Sequence, residues 1–352
     1  MTAPRIACIM PFLNEARHLP EVLASLTVQT LPRERFFIIG VDNGSYDGSD
    51  ALFIEWLSDH TIAGELVREA VRSIPRALNA GLAHAARDDL IVRLDAHTLY
   101  QPDYLATIDA AFAALPADVW CVGGAPTPHP QPRDYGTALV SALYSNPLGL
   151  GPADFRRDVA AAREVTTVYL GAYRAGVLTR LGGFDERWVA NEDAELTERI
   201  RAGGGRIFRV PVRMDLIVTR GPVAMVRQWN RYGFWRMQTF RRYPTAVRLR
   251  HVVPPAALLI ALGLALSRAR AWLVPLYLAY ALATVLARRR GEPAMVTAGT
   301  LLFFPLVHVG YACGLFAGLL RRPRNFEAPR AVVANNVRAA GYRGRRTPGE
   351  TS

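Results

Sequence analysis

The 352-residue sequence predicts an α/β domain with a mostly parallel sheet, followed by transmembrane helices at the C-terminus. Three observations support this prediction. Short apolar runs alternate with helix-like segments through the first two thirds of the chain, which is the pattern of a parallel sheet covered by helices. Acidic and basic residues are unevenly distributed, and three apolar runs without charged residues follow residue 251.

Three short apolar runs have the length and composition of buried strands. They are Arg5–Met10, Phe36–Val41 and Leu90–Leu94. Helical periodicity appears after Asn14, which is expected to cap the first helix, then over Ser49–Leu57 and over 75–87. Because ligands of parallel sheets bind where the strands end, the residues that follow these runs are expected to line one crevice.

Two later stretches have contrasting patterns. Residues 123–152 are rich in Pro and Gly and are predicted to be dominated by loops that face the substrate. Ordered patterns return over 165–219, where a predicted helix over Asp193–Ala202 is ended by three consecutive glycines, 203–205.

The formal net charge of +12 hides a strong asymmetry along the chain. Residues 1–219 contain 21 Arg and 27 acidic residues, whereas residues 220–352 contain 21 Arg and 3 acidic residues. No carboxylate side chain lies between Asp215 and Glu292. The chain is therefore an acidic domain joined to a basic C-terminal third, which argues against a compact nucleic-acid-binding domain.

The composition excludes further classes of protein. The sequence has no Lys, which excludes a Walker A loop, a Schiff-base lysine and a pyridoxal phosphate site. Cys8, Cys121 and Cys313 lie far apart, which fits reduced thiols facing the cytosol and neither a disulfide framework nor a zinc site. The first residues lack the pattern of a signal peptide, so none is expected.

Three apolar runs predict a membrane region. They are Val252–Leu266, Trp272–Ala287 and Met295–Leu320. A spanning helix needs about 20 apolar residues, so the third run is long enough alone. The first two runs are marginal, and thin spans, a tight hairpin or interfacial segments are the alternatives for them. Three crossings would place the Arg-rich tail, 321–352, outside, against the positive-inside tendency, whereas a break at Pro305 would return it to the cytosol. Buried helices of a soluble domain are the alternative.

Polar residues follow two of the predicted strands. Asp42 opens the segment DNGSYDGS (42–49), where a carboxylate can bind a ribose or a base; an ordinary Asx-turn is the alternative. Asp95 and His97 follow the third strand and can face one divalent cation that carries a diphosphate, with solvated loop polarity as the alternative.

Glu192 and Asp193 open a predicted helix directly after Asn191. Acids in a first turn favour the helix dipole, which alone would account for them. The functional interpretation is a general base that deprotonates an acceptor hydroxyl during in-line displacement.

Arg alternates with aromatic residues from Arg227 to Arg250. This pattern occurs in proteins that bind single-stranded nucleic acid and in helices that lie at a lipid interface. Because the first long apolar run begins at Val252, the lipid interface is favoured and no nucleic-acid partner is predicted.

The order of these motifs resembles that of family 2 glycosyltransferases. The motifs are PFLNE (11–15), DNGSYDGS (42–49), LDAH (94–97), GGFDE (182–186), NED (191–193) and QWNRY (228–232). The resemblance covers about residues 5–235. The DAH form, with His97 in place of a second Asp, is similar to membrane-bound bacterial exopolysaccharide β-glucosyltransferases of the succinoglycan type. The resemblance implies a Rossmann-like GT-A fold, a nucleotide-diphosphate sugar donor with a UDP-sugar favoured, a divalent cation and inversion at the anomeric carbon.

Carried over by motif position, the resemblance implies a nucleotide-sugar-binding group at the first two strand ends. Pro11, Leu13 and Glu15 would line the nucleoside pocket, and Asp42 would contact the base or the ribose. Asn43, beside it, replaces an acid that is common in relatives, so the nucleoside contacts are expected to differ.

The later motifs imply the groups that act on the diphosphate and the acceptor. Asp95 and His97 would hold the metal and the diphosphate, and neutral imidazole suits manganese better than magnesium. Asp193 would be the general base, with Glu192 beside it. The residues that match the family's QxxRW loop, which helps to close the donor site, are Gln228, Arg231 and Tyr232.

These expectations divide the chain into four parts: a glycosyltransferase domain (1–219), a basic and aromatic interfacial segment with the QxxRW-like loop (220–250), a membrane region (251–320) and a flexible Arg-rich tail (321–352). The leading hypothesis is an inverting, metal-dependent transferase, multi-pass in the inner membrane, that extends a lipid-linked or growing polysaccharide at the cytosolic face. A transferase that loads polyprenyl phosphate and a non-catalytic nucleotide-sugar-binding membrane subunit are the alternatives.

Overall fold

A computed structural model describes residues 5–85, 90–129, 134–150 and 161–323. Its strands are β1 (Ile6–Phe12), β2 (Phe36–Asp42), β3 (Gly64–Arg68), β4 (Leu90–Arg93), β5 (Thr98–Tyr100), β6 (Val119–Pro128), β7 (Arg163–Glu164), β8 (Tyr169–Arg174) and β9 (Arg206–Leu216). Its α-helices are α1 (Leu19–Thr27), α2 (Ser49–Asp59), α3 (Ile74–Leu82), α4 (Tyr104–Ala114), α5 (Tyr135–Ser145), α6 (Pro147–Leu150), α7 (Ala175–Leu181), α8 (Glu192–Ala202), α9 (Pro222–Arg242), α10 (Leu249–Ala265), α11 (Leu273–Leu286) and α12 (Ala294–Leu320).

The strands in the described part of the chain form one sheet in the order β3-β2-β1-β4-β8-β6-β9-β5, with β7 paired to β9. The half that contains β1 to β4 is parallel. β8 runs antiparallel to both β4 and β6, and β5 and β7 run antiparallel to β9. The predicted α/β class is confirmed, and the sheet is mixed: β6 and β9 are parallel to each other and run in the same direction as β1 to β4, whereas β5, β7 and β8 run in the opposite direction.

The sheet has an apolar core on each face. Along β1, Ile6, Cys8 and Met10 pack with α1, α2 and α4, whereas Ala7 and Ile9 pack on the other face with α3, α7 and α8. Burial on both faces requires a continuous apolar run, and this is why the central strands could be recognised in the sequence. The two cores fix the strand ends at which the polar motifs lie.

Two local predictions are wrong. Residues 123–152 contain most of β6, all of α5 and α6, and do not consist mainly of loop in their described part. β6 pairs with both β8 and β9, so partners far along the chain outweigh its Pro and Gly content. Asn14 does not cap α1, which begins at Leu19; instead its side-chain oxygen accepts a hydrogen bond from the N–H of Tyr46.

The three predicted apolar runs form α10, α11 and α12. In the described residues one helix, α12, is long and apolar enough to cross a membrane, and α10 and α11 are shorter. The predicted break at Pro305 is absent, because α12 is continuous through it. Pro305 cannot donate to Leu301, four residues earlier, and the hydroxyl of Tyr277 donates to that carbonyl instead at 3.3 Å. Residues 324–352 of the predicted flexible tail lie outside the described residues.

The segment predicted as a QxxRW-like loop is helical. Gln228, Arg231 and Tyr232 all lie within α9, a 21-residue helix with Pro222 in its first turn. No Gly or Pro that would end a helix follows until Pro244, apart from Gly233, which is buried against α12. The prediction of a loop is therefore wrong, and the motif is held on one rigid element.

Candidate functional site

The polar motifs meet where the parallel strands end. Phe12 at the end of β1 is in register with Asp42 at the end of β2. The N–H of Leu94, after β4, donates to the carbonyl oxygen of Ile9. Pro11, Asp42 and Asp95 therefore lie along one edge of the sheet, as predicted from the apolar runs.

The loop after β1 is fastened to the loop after β2. The N–H of Asn14 donates to Ser45 Oγ at 3.0 Å, and the N–H of Glu15 donates to Ser49 Oγ at 2.9 Å. The carboxylate of Asp42 is used within its own loop, because its Oδ1 accepts from the N–H of Ser45, three residues on, at 2.9 Å. These bonds hold Leu13 and Glu15 beside the end of β2.

The polar atoms of the Asn43 side chain are hydrogen-bonded within the protein. Its Nδ2 donates to the carbonyl oxygens of Glu69 and Val71, and its Oδ1 accepts from the N–H of Ser73. With both amide hydrogens used, Asn43 fixes the loop between β3 and α3, and it is suited to shape a nucleoside pocket rather than to contact the ligand.

Asp95, His97 and Glu15 lie together at the end of the sheet. Tyr169 donates to Asp95 Oδ2 at 3.0 Å, and His97 Nδ1 lies 3.8 Å from Glu15 Oε1. Burial raises the pKa of Glu15 to about 7, opposed by Arg220 and reinforced by Asp95. Burial also lowers the pKa of His97, which favours the neutral imidazole, the form that binds metals.

The arrangement fits a cation that is bound jointly with a ligand. No group of three His, Cys, Asp or Glu side chains in the described residues could alone hold a metal ion. Asp95 and His97 supply two donors, and divalent cations at phosphate sites often take one or two protein ligands plus phosphate oxygens. The repulsion between Glu15 and Asp95, which contributes to the raised pKa of Glu15, is one that a bound cation would offset.

Arg93 links the donor side of the crevice to α8. Its Nη1 donates to Glu192 Oε1 at 2.8 Å, and its Nη2 lies 3.8 Å from Asp95 Oδ1. Only 12% of the Arg93 side chain is exposed. Burial lowers the pKa of Arg93, but the carboxylates of Glu192 and Asp95 outweigh burial and hold the pKa above its usual value.

The first turn of α8 presents its two acids differently. Glu192 is buried against Arg93, whereas Asp193 is partly exposed, and its Oδ1 accepts from the N–H of Ala194 at 2.7 Å. Asn191 precedes them with a φ of 61°, in the left-handed region that Asn tolerates. Asp193 is thus the acid of this pair that can receive a proton from an acceptor.

Helix α9 closes the same side of the crevice. Asn191 Nδ2 donates to the carbonyl oxygen of Tyr232 at 3.0 Å, and Gln228 Nε2 donates to the Tyr232 hydroxyl at 2.6 Å. Arg220, just before α9, donates to Gln228 Oε1 at 3.3 Å. Arg220 and Arg231 are both exposed, and Arg220 is tied to the site by its hydrogen bond to Gln228.

Three residues of the site were missed in the sequence: Arg93, Tyr169 and Arg220. Arg93 is the one charged residue in the run Leu90–Leu94, and a charge in a buried strand was a usable signal. Tyr169 and Arg220 had no such signal, because each reaches the site from a distant part of the chain.

A mixed sheet with polar loops at the ends of its parallel strands, faced by an acidic helix start, is the GT-A-like arrangement of glycosyltransferases. Residues 7–136 match the family model Glycosyl transferase family 2, which confirms the predicted resemblance to family 2 glycosyltransferases.

The chain is similar to curated proteins of glycan synthesis. It is 26% identical over 279 residues to succinoglycan biosynthesis protein ExoA of Rhizobium meliloti (strain 1021), covering 76% of this chain and 79% of that protein. Over 85 residues it is 27% identical to glycosyltransferase AglE of Haloferax volcanii, covering 24% of this chain and 28% of that protein. The first similarity confirms the predicted resemblance to exopolysaccharide enzymes.

A solved structure has a similar fold. It is the mannosyltransferase PcManGT from Pyrobaculum calidifontis in complex with GDP-Man and Mn²⁺, with a TM-score of 0.62 and 23% sequence identity. The similarity covers 91% of this chain and 88% of that chain, which includes helices beyond the sheet. It confirms the GT-A-like fold.

Proposed function

We propose that the chain is an inverting glycosyltransferase that uses a nucleotide-diphosphate sugar, with a UDP-sugar favoured. The acceptor is a hydroxyl of a lipid-linked or growing polysaccharide at the cytosolic face of the inner membrane. The observation that carries the proposal is the position of Arg93, which joins Asp95 on the donor side to Glu192 at the start of α8. Donor-binding and proton-accepting groups are thereby held in one crevice.

The family match and the relatives support this proposal. ExoA is described as a succinoglycan biosynthesis protein, and PcManGT was solved with a nucleotide sugar and Mn²⁺. A non-catalytic subunit is disfavoured, because Asp95 and Asp193 both stand in their motifs.

In the proposed reaction the chain binds the donor at the strand ends and activates the acceptor at α8. Pro11, Leu13 and Glu15 line the nucleoside side, and Asp42 lies at its base. Asp193 accepts the proton of the acceptor hydroxyl as that oxygen attacks the anomeric carbon. One displacement with one base inverts the configuration and needs no enzyme nucleophile.

Positive charge near the departing diphosphate has two sources in the chain. Arg220 lies just before α9, and Gln228 and Tyr232 hold it there through the bonds described above. Asp95 and His97 would hold a divalent cation, which when bound offsets the charge of the diphosphate.

A thermal-shift panel of UDP- and GDP-sugars with manganese tests donor binding by the purified full chain. A bound donor stabilises the native state in proportion to ln(1 + [L]/Kd), so the correct nucleotide sugar should raise the melting temperature most. Product analysis with native lipid acceptors then tests transfer. A monosaccharide polyprenyl phosphate as product would favour the polyprenyl-phosphate alternative. The proposal would be refuted if the chain bound no donor and transferred no sugar.

The residue at position 97 suggests which metal supports activity. Because imidazole suits manganese better than magnesium, transfer should be faster with manganese at saturating donor. Equal rates with the two metals would contradict this preference, and His97→Asp should reduce it.

A further inference from the structure

Helix α12 contacts the catalytic part of the chain at both of its ends. Near its start, the hydroxyl of Tyr135 on α5 donates to the carbonyl oxygen of Met295 at 3.1 Å. Near its end, Gln238 Nε2 on α9 donates to the carbonyl oxygen of Gly318 at 3.1 Å. A spanning helix with the catalytic domain on one side would contact that domain at one end only.

The middle of α12 lies directly behind the candidate site. Asn230 Nδ2 on α9 donates to the carbonyl oxygen of Gly310 at 3.1 Å, and Gln228 and Tyr232 flank Asn230 in the same helix. If α12 crossed a bilayer, these residues and the charged crevice beside them would lie near the midplane, where charged groups are costly. The contacts instead run along the side of the domain.

The opposite side of α12 is exposed and apolar over its whole length. Its exposed residues include Met295 (68%), Leu302 (66%), Leu306 (47%), Val309 (39%) and Leu320 (83%). α10 and α11 add exposed apolar residues to the same region. An apolar surface of this extent marks an interaction site.

Helices α10 and α11 are too short to cross a bilayer easily. α10 has 17 residues and α11 has 14, which correspond to about 26 Å and about 21 Å at 1.5 Å per residue. The hydrocarbon core of a bilayer is about 30 Å thick.

The charges at the helix junctions fit a single side of an anionic membrane. Arg268 and Arg270 lie between α10 and α11, Arg residues fill positions 288–290 between α11 and α12, and Arg321 and Arg322 follow α12. Arginine residues next to membrane-spanning helices are concentrated on the cytosolic side. Here the segments between α10 and α11, between α11 and α12, and after α12 are all basic. All the junctions agree with this tendency if they lie on one side.

We propose that α10, α11 and α12 form a one-sided membrane anchor and do not cross the bilayer three times. Their exposed apolar sides enter the cytosolic leaflet of an anionic bilayer, and the arginines at each junction remain at the level of the headgroups. This inference rests on the membrane association in the proposed function and is independent of the sugar-transfer chemistry.

Cysteine labelling in a Gram-negative host tests the anchor with the full chain. Cys8 and Cys121 are fully buried and burial raises the pKa of both thiols, so only Cys313 is replaced, by C313S. Single cysteines are then introduced as Ala269→Cys between α10 and α11, Arg290→Cys between α11 and α12, and Asp59→Cys as a control on the catalytic surface.

A membrane-impermeant maleimide should label all three positions in inverted membrane vesicles and none in intact spheroplasts. Labelling of residue 269 in spheroplasts, or from neither side until detergent is added, would overturn the anchor. Recovery of the chain in the soluble fraction would instead refute the membrane association itself, whereas loss of transfer activity with correct labelling would bear only on the sugar-transfer chemistry.

Depth measurements provide a second test that does not depend on the junctions. In the C313S background, a fluorophore at M295C, V309C or L320C should be quenched to a similar extent by nitroxide-labelled lipids at one depth, because α12 lies in the membrane plane. Deepest placement of position 309, with both flanking positions shallow, would support a crossing and overturn the proposal.

Discussion

The sheet-containing part and the helical part hold the candidate site by different means. At the strand ends, side chains fix one another by ion pairs and hydrogen bonds, as Arg93 does with Glu192. Between α9 and α12 the backbones themselves approach, and a Cβ built at Gly314 would overlap the carbonyl oxygen of Asn230. The first part should therefore be sensitive to loss of charge, and the second to added volume.

The largest effect is expected from Arg93→Met. This change leaves Glu192 buried without its partner, which should lower the free energy of unfolding by about 3–5 kcal/mol. Adding Glu192→Met should recover most of the stability, because an apolar pair replaces a buried ion pair at little cost. Chemical denaturation in detergent measures both changes.

Arg68→Met is the matched control for Arg93→Met. Arg68 pairs with Asp50, and 65% and 32% of the two side chains are exposed, so the effect should stay within about 0.5 kcal/mol. Equal stability losses at positions 93 and 68 would contradict the contrast between a buried and a surface pair. Turnover should remain low in the stable double variant, since position 93 then no longer orients α8.

Replacement of the proposed base should affect chemistry and leave structure intact. Asp193→Asn should leave donor binding nearly unchanged and reduce kcat by at least about 100-fold, the lower end for a general base. Glu198→Gln, on the same helix but away from the crevice, serves as the control and should retain activity. Near-wild-type turnover of Asp193→Asn would reject the assignment.

The glycine pair Gly314 and Gly263 tests the helical part. Gly314→Ala forces α9 and α12 apart and should cost about 1–3 kcal/mol of stability. Gly263→Ala on α10 meets no atom within 4 Å and should be neutral or stabilise by up to about 1 kcal/mol, because Ala favours helices. If both substitutions changed the free energy of unfolding in the same direction, close backbone packing would not be what joins α12 to α9.

How much of this the sequence could predict depends on the sequence distance between partners. β1, β2 and β4 were placed within two residues, because burial on both faces leaves a continuous apolar run. The helical start at Glu192 was also placed within one residue. β6 and α5 were missed because their partners, β8, β9 and α12, lie far along the chain.

The site shows the same limit. Asp42, Asp95 and Asp193 were found as members of motifs, each next to an element that could be recognised locally. Arg93 and Glu192 are 99 positions apart, and no local pattern pairs them. Roles within a site that depend on such pairs require the fold.

The smallest expected effect concerns Asp185, which joins the two parts. Asp185 accepts hydrogen bonds from Arg187 and from Arg242 at the end of α9, with Arg242 Nη1 at 3.3 Å. Burial raises the pKa of Asp185, but the hydrogen bonds from Arg187 and the charge of Arg242 outweigh burial and hold the pKa below its usual value.

A lowered pKa in the folded state stabilises the fold above the unfolded pKa, about 3.9, and this contribution is lost as pH falls through the folded pKa. Asp185→Asn should therefore reduce stability by about 1 kcal/mol at pH 7. The difference from wild type should shrink as the pH is lowered below about 4. Thermal unfolding across pH 3–7 measures this, with the exposed Asp59→Asn as a control. If the stability difference between Asp185→Asn and wild type stays constant with pH, shape and not charge couples this loop to α9. Close packing, which holds α9 against α12, would then also hold this loop of the sheet-containing part.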